Sequence, residues 1–535
     1  MALGPATLKP VGRDERRWSL AFGLAVAVVT TLPYVWAFFR QGDAWRFSGF
    51  VFGVEDGNSY LAKMLEGSFG AWLFRTPYTT MPQSGILAFI PYLLLGKLAS
   101  GAALHEQLVV LYHAARFVAI PWATWATYDF ASRFLAQVGW RRWATILSTL
   151  GGGLGWIAVV LGRGAILGSL PLEFYSPESF GFLAYLGLPH LVAGRALLLS
   201  SLGWYLDAVD AARSGWWAGG GLLVLGLFQP LAVASAWVVM GVHVALLALT
   251  GRSNGPAAAR GALRAAAMAY LLSSPVVIYF GWLSYADPFV RAWNAQNIIT
   301  SPHPIHYVLA YGLMAAVAVA GVLRTRLDSR LLLLGGWLLA LPFLAYAPVN
   351  LQRRLPDGIW AAVVVLAAWG LAALHPRTSR IVGYAVAAAS LPSCLILLAG
   401  SLGTANRPEL PAFVPSETAQ AFEELSSLAT PDDAVMASFD TGNLLPAWAP
   451  VRVPIGHGPE SVGFAQARAD VETFYASDTP ASVREDLLHR YGIRFVVYGP
   501  SERMLGSWDI AALPGLSPLV DLPDVRIYAV PGGAP

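Results

Sequence analysis

The chain carries a single cysteine in 535 residues, Cys394, and it lies within an apolar run. That excludes a disulfide framework and any metal centre built on thiolates. Charge is scarce too: 13% of residues are Asp, Glu, Lys or Arg, where soluble globular proteins carry about a quarter. Lysine is nearly missing, with Lys9, Lys63 and Lys97 the only three, and the Arg, Ala and Gly excess fits a GC-rich bacterial genome. A net charge of +3 is too small to point to nucleic acid. Absent as well are a Gly-rich phosphate loop ahead of a helix and a Gly-x-Ser-x-Gly turn. Apolar residues, at 56%, are what the chain has in abundance. It reads as an α-helical polytopic membrane protein with a smaller soluble part.

A helix needs about 20 apolar residues to cross the hydrocarbon core. The runs that qualify are 18–39, 108–128, 143–162, 190–209, 265–284, 305–323, 331–347, 358–374 and 381–401. The stretch 216–249 is too long for one crossing, and Gln229-Pro230 divides it, since proline cannot continue the hydrogen-bond ladder. Read as two short helices, it brings the expectation to about 11 spans. The basic N-terminus (Lys9, Arg13, Arg16, Arg17) reads as cytoplasmic, ahead of a retained first span. The clusters Arg133/Arg141/Arg142, Arg213, Arg252/Arg260/Arg264, Arg324/Arg326/Arg330 and Arg377/Arg380 then all fall inside. The short run "GILAFIPYLLLGKLASG" (85–101) would upset that order, so it is expected to be interfacial or re-entrant.

One cluster disobeys. "PVNLQRRLPDG" (348–358) falls outside in this topology, so Gln352, Arg353 and Arg354 sit on the wrong side for paired arginines. Either one span is miscounted or the guanidinium groups hold an anion, for which their paired donors suit phosphate oxygens.

Three other polar loops share that side. The first (46–85) contains Glu55-Asp56, followed by Tyr60, Leu61, Met64, Leu65, Phe69 and Trp72 at one-sided helical spacing, as in a helix lying in the membrane interface. The acidic pair suits either a helix N-terminal cap or a catalytic carboxylate. The second loop (168–192) holds Glu173, Glu178 and His190. The third (285–307) holds Asp287, Arg291, Asn294, Gln296, Asn297, His303 and His306, a polar set that suits a sugar-binding rim as well as a plain loop. Its two histidines lack an acidic partner at metal-ligand spacing.

After residue 405 the apolar runs stop, and about 130 residues follow, enough for a separate α/β core. "SETAQAFEELSS" reads as a capped helix, "DDAVMASF" as a turn into a strand, "AQARADVETFYA" and "SVREDLLHRYG" as helices, and "IRFVVYG" and "VRIYAV" as strands. "GHGPES" (456–461) is its most distinctive polar turn. Without paired catalytic carboxylates, the tail is expected to be structural or a substrate lid.

With "VEDGNSY" and "LAKMLEGSFGAWL" in the first loop, "PYTTMPQSGILAFIPYLLLG" after them, and "TPDDAVMASF", "GHGPES" and "RYGIRFVVYGPSER" in the tail, the chain resembles the GT-C integral-membrane glycosyltransferases. That class includes protein O-mannosyltransferases, oligosaccharyltransferase catalytic subunits and lipid A aminoarabinose transferases. The likeness covers the whole chain in architecture. It implies a transmembrane domain over 1–404, with interfacial helices in 46–100, and an extracytoplasmic domain over 405–535. Also implied is transfer of a sugar from a polyprenyl-phosphate donor to a lipid, glycan or protein acceptor, at the outer face of the bacterial cytoplasmic membrane. Asp56 would be the base toward the acceptor, with Glu55 beside it, and Arg353 and Arg354 would meet the donor phosphate. Gln352, His190, Glu178, Asp287, Asn297 and His303 are the expected substrate-binding set. A divalent cation, Mg or Mn, is compatible, but the second loop lacks the Asp-x-Asp that would assign its ligands. Two other classes use the same residues: a flippase for a lipid-linked substrate, and a non-catalytic envelope scaffold.

Overall fold

The computed structural model describes residues 10–250, 255–324 and 328–530, so Lys9, Arg252 and Arg326 lie outside the described residues. In chain order the helices are α1 (Arg13–Arg40), α2 (Val54–Ser68), α3 (Ile90–Gly96), α4 (Leu104–Ser132), α5 (Val138–Leu150) and α6 (Trp156–Val160). There follow α7 (Gly181–Gly187), α8 (Pro189–Asp210), α9 (Trp216–Phe228), α10 (Pro230–Leu249), α11 (Gly255–Ala286) and α12 (Pro288–Gln296). The helical run closes with α13 (Ile305–Val322), α14 (Leu331–Ala345), α15 (Ile359–Ala372), α16 (Pro376–Ser390) and α17 (Pro392–Ala405). Among the described residues, seven helical stretches are long and apolar enough to cross a membrane. The expected break at Gln229-Pro230 is present, between α9 and α10.

Two expected spans are not single helices. Over 143–162 the chain leaves α5 at Gly151, whose backbone is extended, and resumes only as the five-residue α6. The Gly152 N–H donates to the Ser390 carbonyl at 2.7 Å and the Leu154 N–H to that of Leu309 at 2.9 Å. A Cβ at Gly153 would collide with the backbone of Ala310, so the glycines let the chain press against α13 in place of turning on as helix. The run 381–401 is likewise interrupted, at Leu391-Pro392.

The chain divides into two compact units. One takes α1 up to Thr31, Ala115–Trp282 and Ile299–Gly400; the other takes Leu32–Ala114, Leu283–Ile298 and the chain from Ser401. The first unit is built round α15, whose residues are buried on every side, as befits a helix apolar all round. Gly321 of α13 and Gly370 of α15 meet where a Cβ on either would strike the other, a small-residue crossing typical of membrane helices.

In the second unit the first loop and the tail are one structure. Strand β1 (Trp45–Phe47) pairs antiparallel with β2 (Phe413–Pro415), Phe47 opposite Phe413. The tail continues with α18 (Ser416–Ser426), β3 (Ala434–Met436), α19 (Phe439–Leu444), α20 (Phe464–Tyr475), α21 (Ala481–Arg490), β4 (Ile493–Tyr498), α22 (Pro500–Leu505), β5 (Ser517–Asp521) and β6 (Arg526–Ala529). Its sheet runs β3-β4-β6-β5, with β3 and β4 parallel and the other pairs antiparallel. The helices and strands expected in the tail are all there; α19, α22, β5 and the β1–β2 pair come in addition.

Helix α2 does not lie on a surface. Its buried residues include Asn58, Ser59, Leu61, Lys63, Met64 and Leu65, and only the Glu55-Asp56 edge is open. It crosses α3 so closely that Gly67 and Gly96 each face the other helix's backbone where a Cβ would not fit. The exposed apolar groups of this region come after it, at Phe69, Trp72, Leu73, Leu87, Leu94 and Leu98. Lys97 sits 4.1 Å from the Trp72 ring. At seven residues, α3 is far too short to cross a bilayer.

Candidate active site

Helix α2 starts from Gly53, whose φ of 58° puts it in the left-handed region and leaves the helix without a side-chain cap. Glu55 and Asp56 occupy the first turn, where the helix dipole favours carboxylates. Their partners are in the tail, 400 residues on. Asp56 Oδ1 lies 3.1 Å from His457 Nε2, and Glu55 Oε1 accepts the Gly458 N–H at 3.0 Å. The Asp56 side chain remains 60% exposed, whereas His457 is 5% exposed.

Behind His457 the polar set goes deep. Its Nδ1 faces Glu460 Oε1 at 3.7 Å. Glu460 takes the Lys63 ammonium at 2.6 Å, the Ser59 hydroxyl at 2.7 Å and, on its other oxygen, the Thr76 hydroxyl at 2.8 Å. Burial by itself would raise the Glu460 carboxyl, but the Lys63 and His457 charges and these hydrogen bonds outweigh it and hold it below its ordinary value. Lys63 is enclosed, with Phe89 and Phe74 ring centres 4.4 and 5.2 Å away. Asn443 joins the same wall, accepting from Asn58 at 2.8 Å and donating to the Glu55 carbonyl at 3.3 Å.

The loop that presents His457 is pinned from two sides. Ser461 Oγ accepts the N–H groups of Gly456 and His457, at 3.1 and 3.2 Å. From α12, the Gln296 amide donates to the Ser461 carbonyl at 2.8 Å and accepts the Gly463 N–H at 3.0 Å. At the other end of α12, Asp287 caps the helix through the Val290 N–H and accepts the Ser84 hydroxyl at 2.7 Å. Burial opposes ionisation there, but these bonds prevail and Asp287 lies below the usual carboxylate range. Asp287 is thus the N-cap of α12, and Asn297 is its C-cap.

The other expected residues lie in the first unit. Gln352, Arg353 and Arg354 form one 3₁₀ turn. Arg354 Nε is 3.3 Å from Glu178 Oε1, and the Arg353 guanidinium sits 4.6 Å from the Tyr175 ring centre. Arg195 of α8 donates to the carbonyls of Pro177 and Glu178, at 3.0 and 2.9 Å, and faces Asp357 at 3.8 Å. Segments 175–179 and 352–358 therefore do come together, as a group of three arginines and two carboxylates. His190 lies in the first turn of α8. His303 is exposed, and its ring nitrogen accepts the Ile305 N–H at 3.3 Å, a local turn contact. Glu173 turns inward instead, accepting the Gly155 N–H at 2.8 Å, with burial pushing it up to about 7.

Sequence reasoning missed His457, Glu460 and Lys63. The available signals were the polar turn "GHGPES" and a lone lysine on the apolar side of α2, in a chain with only three. Among the described residues, no three His, Cys, Asp or Glu side chains gather as a metal site would require.

No protein-family profile matches the chain, and no curated protein does so significantly. Solved structures do match. The oligosaccharyltransferase of Archaeoglobus fulgidus, tethered with an acceptor peptide by a disulfide bond, aligns with a TM-score of 0.53 at 13% identity, over 90% of this chain and 69% of its own. The AglB of that organism, in complex with an inhibitory peptide and a dolichol-phosphate, gives 0.50 at 13% identity, over 91% and 70%. ArnT from Cupriavidus metallidurans, bound to undecaprenyl phosphate, gives 0.49 at 14% identity, over 97% and 99%. At such identities the likeness is one of fold. The chain is a multi-pass membrane protein, and the fold it shares is that of the archaeal oligosaccharyltransferase.

Proposed function

We propose that this protein is a membrane glycosyltransferase that moves one sugar from a polyprenyl-phosphate donor to a lipid, glycan or protein acceptor at the outer face of the bacterial cytoplasmic membrane. The observation that carries this reading is the fold, matched over nine-tenths of the chain by the archaeal oligosaccharyltransferase. A related structure described with dolichol-phosphate supports a lipid-linked donor.

In this reading Asp56, open to solvent and held on one side by His457, takes the proton of the acceptor hydroxyl. The acceptor oxygen attacks the anomeric carbon as its bond to the donor phosphate breaks, inverting the centre. Arg353 and Arg354 receive the phosphate and its growing charge, as preorganised cations do. Gln352, Glu178, His190 and His303 in the first unit, and Asp287 and Asn297 in the second, complete the proposed substrate contacts. Glu178 neutralises part of the arginine charge when no phosphate is bound.

The test uses purified protein in proteoliposomes with undecaprenyl-phosphate carrying radiolabelled glucose, galactose or mannose, and bacterial envelope extract as acceptor. Label transferred by wild type and not by Asp56→Asn is expected. Label moved across the bilayer without transfer would favour a flippase, and neither event would leave the scaffold reading.

A further inference from the structure

The tail, expected to be structural or a lid, places one side chain directly on the carboxylate assigned as base. We infer that His457 is a positioning residue for Asp56: it holds that carboxylate ionised and aimed, and the buried Glu460–Lys63 pair in turn holds His457. The inference rests on the glycosyltransferase reading and adds a residue to it.

The geometry argues for a directed contact. His457 is buried while its partner is exposed, so the ring is fixed by protein and the carboxylate by the ring. The groups facing the imidazole are few and can be named. Asp56 meets Nε2, Glu460 faces Nδ1, and Tyr78 lies with its ring centre 5.4 Å away. Glu55 holds the next residue, Gly458, through its N–H, and Lys63 stands behind Glu460. With Nε2 protonated, the ring donates to Asp56 at 3.1 Å. A hydrogen bond to the charged form of Asp56 favours that form. A carboxylate so held is ready to accept a proton without first rotating or shedding water, the benefit of preorganisation.

The predicted signature separates positioning from mere support. In His457→Ala, kcat falls by about 10- to 100-fold, while affinity for undecaprenyl phosphate stays within about threefold. The acidic limb of the kcat–pH profile moves upward, because Asp56 loses a donor to its ionised form. His457→Gln keeps an N–H donor and recovers most of the rate. Should the alanine variant fail to purify as a monodisperse species, His457→Asn replaces it, since its shorter amide stops short of Asp56, and the same loss is expected. A folded alanine or asparagine variant with wild-type kcat and an unmoved acidic limb overturns the inference, as does a glutamine variant no better than alanine. An inactive wild type, or an active Asp56→Asn, overturns the glycosyltransferase reading itself.

Discussion

Lys63 and Glu460 stand 397 residues apart in the chain and 2.6 Å apart in space, both buried. A buried pair has given up the hydration of two ions, so removing one partner leaves the other uncompensated. Lys63→Met is expected to lower stability by about 3–5 kcal/mol, and adding Glu460→Gln should restore part of that loss. Thermal unfolding of the two variants checks it; equal loss in single and double would show that the pair itself is not what matters.

Asp56→Asn keeps the size and loses the base. Transfer is expected to fall by a factor of about 10² to 10⁴, with thermal stability close to wild type because the side chain is exposed. A variant that retains normal turnover would remove Asp56 from the mechanism.

Arg354→Ala strips the cation from Glu178, and Arg353→Ala strips the one over Tyr175. Each is expected to weaken undecaprenyl phosphate binding by about tenfold or more, and Arg→Lys to rescue poorly, since an ammonium cannot supply the paired donors of guanidinium. Unchanged affinity in both alanine variants would end the phosphate assignment.

Asn350 is exposed two residues before Gln352, and Cys394 is the only native thiol and is buried. A Cys introduced at Asn350 should react with a membrane-impermeant maleimide added outside intact cells. Labelling that appears only after permeabilisation would put the arginine turn on the cytoplasmic side and sink the site proposal.

Glu66 of α2 carries a carboxyl that burial pushes up to about 8, against the Arg75 N–H and the nearby charges of Lys63 and Arg75. A carboxyl raised above its unfolded value of 4.5 favours the fold while protonated, so its contribution is full at acid pH and is lost as pH climbs through about 8. Glu66→Gln should therefore flatten the decline, with a melting temperature a few degrees above wild type at pH 9. Parallel pH curves for the two proteins would refute this.

The helical class, the break at Gln229-Pro230 and the tail's order of helices and strands are local matters, legible in apolar periodicity, proline and turn residues. Glu55-Asp56 and Arg353-Arg354 stood out for the same kind of reason, because carboxylates and paired arginines are rare in so apolar a chain. Where local pattern misled, a close contact was responsible: the 143–162 run is broken because glycines there pack onto α13, and α2 is enclosed because a tail domain covers its apolar side.

What the sequence determined by itself, then, is a membrane-spanning helical chain with a small α/β tail and a short set of charged side chains that stand out from it. Tertiary structure alone decided their partners. Asp56 faces His457, Lys63 faces Glu460 and Arg354 faces Glu178, pairings that span 401, 397 and 176 positions of chain. Hydrophobic period reports which face of a helix is buried, but not against what. A charge in a buried place is tolerated only where an opposite charge arrives, and that arrival is a property of the folded chain.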